Sequence, residues 1–194
     1  MKKLIVVIGI VLTLITPVHA KSAGISSQSK TIFIGSSFTL SLKNTKKKVS
    51  IAYAKGYASV RRLSKTSFRV TGKKAGKTTI SLKLKKKTYK CRLKINDFVY
   101  FKAVGVRKTF TNKKVKFVKG DTAYTLLQKS NLSIKKTGFG KFVYVTTING
   151  LREKQYGPAS GWTYRVNGKL PNVSSAVYKL KAKDHLEWRY VNYN

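Results

Sequence analysis

Bulky apolar residues alternate with polar ones along most of this chain, and a period of two predicts β-strands. Phe38, Leu40 and Leu42 share one face of such a segment. So do Ile51 with Tyr53, Phe68 with Val70, Ile80 with Leu82 and Leu84, and Tyr89 with Cys91, Leu93 and Ile95. Turn signals separate these short runs, and several strands at that spacing predict a β-sandwich. A new strand pattern opens at Val99-Tyr100-Phe101. Further on, Trp162, Tyr164 and Val166 alternate into Asn167-Gly168, a pair suited to the two positive-φ positions of a type I′ turn. Leu186, Trp188 and Tyr190 repeat the alternation near the end. The best helix candidate is Thr122 to Gln128, with Asp121 after Gly120 as its N-cap.

The first twenty residues follow a different logic. Lys2 and Lys3 precede an apolar run from Leu4 to Ile15, then Pro17 and the small-x-small ending Val18-His19-Ala20. That is the pattern of a secretory signal peptide, with cleavage expected after Ala20. The run is too short for the roughly twenty residues that span a bilayer, and no second run follows. A soluble exported product is expected. No cysteine stands in the leader to be acylated, and Tyr190-Val191-Asn192-Tyr193-Asn194 carries no sorting motif, so retention at a surface would be noncovalent.

Charge divides what remains. Residues 21–96 hold 21 Lys or Arg and no carboxylate, whereas residues 97–194 hold 19 basic and all 5 acidic residues, with 16 of the 22 aromatics. We therefore expect two abutting domains, 21–96 and 97–194, meeting near Asn96-Asp97. The formal net charge of +37 draws polyanions and makes their binding depend on salt. Of the 42 basic residues 34 are lysine, a hydrated point charge suited to diffuse attraction more than to bidentate recognition. Lys46, Lys47 and Lys48, Lys73 and Lys74, and Lys85, Lys86 and Lys87 fall between strand patterns and are the candidate polyanion-binding residues. No nucleic-acid recognition signature accompanies them, so a dedicated nucleic-acid partner is not expected.

Two resemblances add to this reading. Tyr144-Val145-Thr146-Thr147-Ile148-Asn149-Gly150-Leu151, Tyr156-Gly157-Pro158-Ala159-Ser160-Gly161-Trp162-Thr163-Tyr164-Arg165-Val166-Asn167-Gly168 and Asp184-His185-Leu186-Glu187-Trp188-Arg189-Tyr190 resemble, in order, the DUF4430 or transcobalamin-like C-terminal family. The resemblance implies a β-grasp fold for residues 97–194. In the vertebrate cobalamin carriers such a domain closes over a corrinoid held by a separate helical barrel, and this chain has no such barrel. Where the family has Gly-Asp, this chain has Lys183-Asp184, which puts a side chain on a positive-φ position. Val70-Thr71-Gly72-Lys73-Lys74-Ala75-Gly76-Lys77-Thr78-Thr79-Ile80 looks like the end of a bacterial Ig-like group 2 repeat, a family of surface proteins and adhesins. The expected fold is thus mostly β: an Ig-like β-sandwich followed by an α+β β-grasp (ubiquitin-like) domain with one short helix.

Several chemistries find no support. After cleavage the chain keeps one histidine, His185, and one cysteine, Cys91, in different halves, so neither a metal site nor a Cys-His pair is expected. Cys91 reads as a buried thiol, with an intermolecular disulfide as the alternative. Glu153 is the one acid without a structural explanation, and no catalytic residue is assigned. Tyr156, Trp162, Tyr164, Tyr178, Trp188 and Tyr190 are the candidate ligand-binding aromatics. Alternation equally allows a core role for Trp162, Tyr164, Trp188 and Tyr190, and core is the favoured reading for the two tryptophans, while Tyr156 beside Gly157-Pro158 is the first choice for ligand contact. The expected function is a secreted, noncatalytic binding or adhesion protein held by charge to anionic cell-wall polymers or polysaccharides of a Gram-positive surface. The alternative is capture of a small, corrinoid-like ligand or a surface protein; no cofactor is expected, and a cobalamin-like ligand is implied by resemblance alone.

Overall fold

The computed structural model describes residues 21–192; the expected signal peptide lies outside the described residues. Eight strands come first: β1 (Gly24–Ile25), β2 (Ser29–Phe33), β3 (Ser37–Lys43), β4 (Ser50–Ala52), β5 (Ala58–Arg62), β6 (Ser67–Gly72), β7 (Gly76–Leu84) and β8 (Lys87–Val104). One sheet has the order β1-β3-β6-β5. The facing sheet runs β4-β7-β8, with β2 added in parallel beside β8. Leu40, Leu42, Phe68 and Val70 from the first sheet meet Ile80, Leu82, Cys91 and Leu93 from the second in one buried core. The alternation that predicted these strands is the consequence of having one wet and one dry face.

The remaining elements are β9 (Thr109–Phe117), α1 (Ala123–Gln128), β10 (Ile134–Thr137), β11 (Tyr144–Ile148), β12 (Leu151–Arg152), β13 (Ser160–Val166) and β14 (His185–Asn192). β9 is antiparallel to β8, β14 returns parallel on its other side, and β13 pairs antiparallel with β14. The order β9-β8-β14-β13, with α1 set against it, is the plan of a β-grasp. Ala123, Leu126 and Leu127 of α1 pack with Val99, Phe101, Leu186 and Trp188 in a second core. β10, β11 and β12 form a small separate sheet.

β8 belongs to both parts. Its 18 residues pair with β7 and β2 in the first half and with β9 and β14 in the second. Cys91, Leu93 and Ile95 serve the first core, and Val99, Phe101 and Ala103 the second. Asp97 interrupts that odd-numbered row where the cores change over, and its Oδ1 is buried with no hydrogen-bond partner among the described residues. On the other face Phe98 is buried and packs edge-on against Phe33 of β2, with ring centroids 5.6 Å apart. Residues 96 and 97 are thus consecutive members of one strand, with no linker between the two cores.

The I′ turn forms, with Asn167 at φ 52° and Gly168 at φ 80°. The hairpin beyond it does not extend: only Lys169 bridges back to Val166, the chain leaves through Leu170-Pro171, and β13 takes β14 as its partner. Lys183 adopts φ 70°, so the side chain does occupy a left-handed position. The helix cap shifts by one residue. Thr122, not Asp121, caps α1, in a reciprocal box with Thr125. Asp121 instead accepts from the Val118 N–H at 2.8 Å and pairs with Lys129 Nζ at 2.6 Å, because the Gly120 turn directs its carboxylate back toward the preceding strand.

Candidate functional site

The solvent face of the β2-β8-β7 sheet carries cations and hydroxyls and no acid. Register sets them in rows: Thr31, Lys94 and Lys77 stand across from one another, as do Ser29, Arg92 and Thr79. All six are exposed. Adjacent strands lie about 4.8 Å apart and alternate residues on a strand about 6.7 Å apart, so these charges form a regular grid. A groove of about 460 Å³ runs over them. The sequence expectation did not single out Lys77, Arg92 or Lys94. Their signal was the polar phase of ordinary strand alternation, which by itself reads only as a wet face.

The predicted lysine runs lie at the loops. The turn between β7 and β8 presents Lys85, Lys86 and Lys87, and the β3–β4 connection presents Lys46, Lys47 and Lys48, all exposed. The two runs approach each other at one pair: interaction with the nearby Lys85 amine lowers the Lys47 pKa. An anion seated between the two would offset their like charge. Lys73 and Lys74 are exposed too but precede β7, whose nine residues separate them from the β7–β8 turn, so they do not join this cluster.

The candidate aromatics separate by burial. Trp162, Tyr164, Trp188 and Tyr190 all belong to the second core, and Trp188 is only 2% exposed. These four rings pack in the core because β13 and β14 turn that face toward α1 and the small sheet, and Trp162, Tyr164 and Trp188 also border a groove of about 300 Å³. Tyr178 is partly buried against the same core. Tyr156 is 46% exposed and borders a groove of about 260 Å³ with Phe110, Leu151 and Arg107. Hydroxyls fix the surrounding loops. Tyr190 donates to the Arg152 carbonyl at 2.7 Å and lies 2.9 Å from Ser160 Oγ, while Tyr164 donates to the Val173 carbonyl at 2.6 Å. Burial raises the Tyr164 pKa to about 12. Tyr144, although 47% exposed, reaches about 12 as well, through partial desolvation of its hydroxyl and then a hydrogen bond to Glu153, which gives that acid a neighbour.

The other titratable groups serve local structure. Glu187 accepts from Arg189 Nε at 2.7 Å and lies 3.6 Å from Lys102, and the hydrogen bond from Arg189 leads the lowering of its pKa. Asp184 accepts from Asn167 and from the Lys181 N–H, stapling the I′ turn to the start of β14. Cys91 is fully buried, and desolvation raises its pKa, so the native thiol is inaccessible to a second chain. Among the described residues no three His, Cys, Asp or Glu side chains cluster as metal ligands, and no helix is long and apolar enough to cross a membrane.

The described residues thus form a mostly β structure with two cores on one shared strand, an acid-free cationic sheet face and one short α-helix. The family model of a domain of unknown function, DUF4430, matches residues 120–192, which take in α1 through β14. No curated protein matches the chain. Among solved structures, a protein from Ruminococcus gnavus described as metal-binding is 13% identical with a TM-score of 0.41, covering 50% of this chain and 99% of that one. Haptocorrin in complex with Cbi is 17% identical with a TM-score of 0.41, over 54% of this chain and 27% of its own. The S-layer protein SbsC is 14% identical with a TM-score of 0.36, over 90% of this chain and 21% of that chain. At such identities and scores these likenesses carry no argument about ligands.

Proposed function

We propose that this protein is an exported, noncatalytic binding module whose first core presents a cationic sheet face to anionic wall polymers. The observation that carries the reading is the grid of Lys77, Arg92 and Lys94 among hydroxyls, in a stretch of 21 Lys or Arg without one carboxylate. A phosphate-bearing polymer lying along the strands meets a cation or hydroxyl at each step, and no buried acid–base pair is needed for that task. The two lysine loops extend the field at one end of the sandwich. The test is retention on purified Gram-positive cell walls at low salt. The variant K77S/R92S/K94S, altered only at exposed positions, should lose most of the retention shown by the parent. Equal retention of both would overturn the placement of the site on this face.

A second reading, capture of a small ligand by the DUF4430-matching part, is favoured by one observation. The Trp188 indole N–H is buried with no hydrogen-bond partner among the described residues, and Trp188 borders a groove of about 300 Å³ with Tyr144, Leu170 and Val173. That volume is at the small end of ordinary ligand pockets, so a compact ring with an acceptor suits it better than a whole corrinoid. Quenching of tryptophan fluorescence that persists in about 0.5 M salt would support this reading, since screening there acts within a few ångströms.

A further inference from the structure

The turn between β10 and β11 carries the two most exposed large apolar side chains among the described residues, Phe139 at 81% and Phe142 at 69%. Its shape is fixed. Gly138 and Gly140 take φ values of 68° and 55°, and a side chain at Gly138 would strike the Phe142 carbonyl. The Phe142 N–H donates to the Phe139 carbonyl at 3.0 Å, closing a single 3₁₀ turn over Gly140–Phe142. Two rings are therefore held out in water at the tip of this turn, an arrangement that folding alone does not favour.

Cations collar this tip. Lys141 Nζ sits 5.2 Å from the centre of the Phe142 ring, and Lys136 Nζ donates to the Gly138 carbonyl at 2.6 Å. Lys135 is exposed on the same hairpin, and no acid occurs between Asp121 and Glu153. The apolar surface continues from Val143 and Tyr144 across a groove to exposed Leu170 and Val173, and Ser174 Oγ ties the two segments by donating to the Val143 carbonyl at 3.2 Å.

We propose that this tip docks on the surface of an anionic lipid bilayer, with Phe139 and Phe142 entering the headgroup–acyl boundary and Lys135, Lys136 and Lys141 facing lipid phosphates. Charge complementarity selects this occupant. Phosphate groups of wall polymers match the lysine collar but not two bare rings, and a neutral apolar partner matches the rings but not the lysines. An anionic bilayer satisfies both, since apolar area buried in the interface and cations near headgroup phosphates contribute together. The turn that carries both rings already has its backbone hydrogen bond, so docking need not form it.

The experiment uses residues 21–194 with phosphatidylglycerol-rich vesicles in about 0.15 M salt, where screening leaves the overall charge acting only over several ångströms. The variant F139S/F142S alters exposed positions, and unchanged circular dichroism verifies its fold. It should partition roughly tenfold or more weakly than the parent, in keeping with two rings removed from the interface. Leu63→Ser, which removes an exposed apolar side chain from the sandwich, should bind these vesicles within about threefold of the parent, because the sandwich is not the docking surface. A second measurement separates insertion from adsorption: in Phe142→Trp, lipids brominated in the acyl chain should quench the added indole while Trp162 and Trp188 stay buried. Equal partitioning of parent and F139S/F142S, or no quenching of the added indole, would overturn the proposal. So would self-association of the parent that the double variant loses in the absence of vesicles, which would make a second copy the occupant.

Discussion

Phe98→Ala tests whether β8 couples the two cores into one unit. Phe98 is 3% exposed on the face of β8 opposite both cores, where it meets Phe33 from β2 and Tyr100, the latter at 5.0 Å, with Lys114 Nζ 4.2 Å over its ring. Truncating a buried phenylalanine costs about 3–5 kcal/mol, and the edge-on and cation–π contacts are lost with it. The site borders solvent through Tyr100 and Lys114 and can partly collapse, so about 3 kcal/mol is expected, a fall in Tm of roughly 6–12 °C for a chain of this size. Urea denaturation followed by two probes reads the coupling. Both tryptophans, Trp162 and Trp188, sit in the second core, so fluorescence reports that core, while far-UV circular dichroism reports both. The parent should show coincident transitions, and Phe98→Ala should separate them as the Phe33 tie is lost. A loss below about 1 kcal/mol, or separate transitions in the parent, would refute the shared-spine account.

Other outcomes follow from single groups. Tyr190→Phe removes a hydroxyl that donates to Arg152, lies beside Ser160 and accepts from the Gln155 N–H; it should cost about 1–3 kcal/mol in urea and speed hydrogen exchange at Gln155. An alkaline absorbance titration should find two late tyrosines near 12, and Tyr164→Phe should remove one of them. Because their pKa values are raised in the fold, the stability they add is complete below the unfolded value near 10 and is lost as pH rises from there to about 12. Glu187 has the opposite sign. Its lowered pKa adds stability above the unfolded carboxyl value of about 4.3, and that is lost as pH falls through the folded value. The stability gap between the parent and Glu187→Gln should therefore close in acid.

Strands with one dry face could be read directly. Leu40-Leu42, Ile80-Leu82 and Cys91-Leu93-Ile95 keep strict alternation because each second residue is buried. β5 could not be read that way: Ala58, Ser59, Val60, Arg61 and Arg62 show little contrast, and pairing with β6 settles them as a strand. In β9 only Val115 is fully buried, which leaves the pattern too weak to recognise. Alternation placed Trp162 and Trp188 on one face of their strands but could not say whether that face was covered; α1 and the small sheet cover it. The site was legible in part. Lysine runs are plain in the sequence, yet the approach of Lys47 to Lys85 depends on two loops far apart in the chain. Lys77, Arg92 and Lys94 become a grid only once cross-strand register is known.

The central claim, that wall polyanions are held by the sandwich face, is tested most directly by comparing intact cell walls with the same walls stripped of their phosphate polymers. The account predicts that residues 21–194 sediment with intact walls at low salt, are released in about 0.5 M salt, and fail to bind stripped walls, with K77S/R92S/K94S keeping only a small part of the parent's retention on intact walls. Undiminished binding to stripped walls, or retention of the parent that salt leaves unchanged, would contradict it.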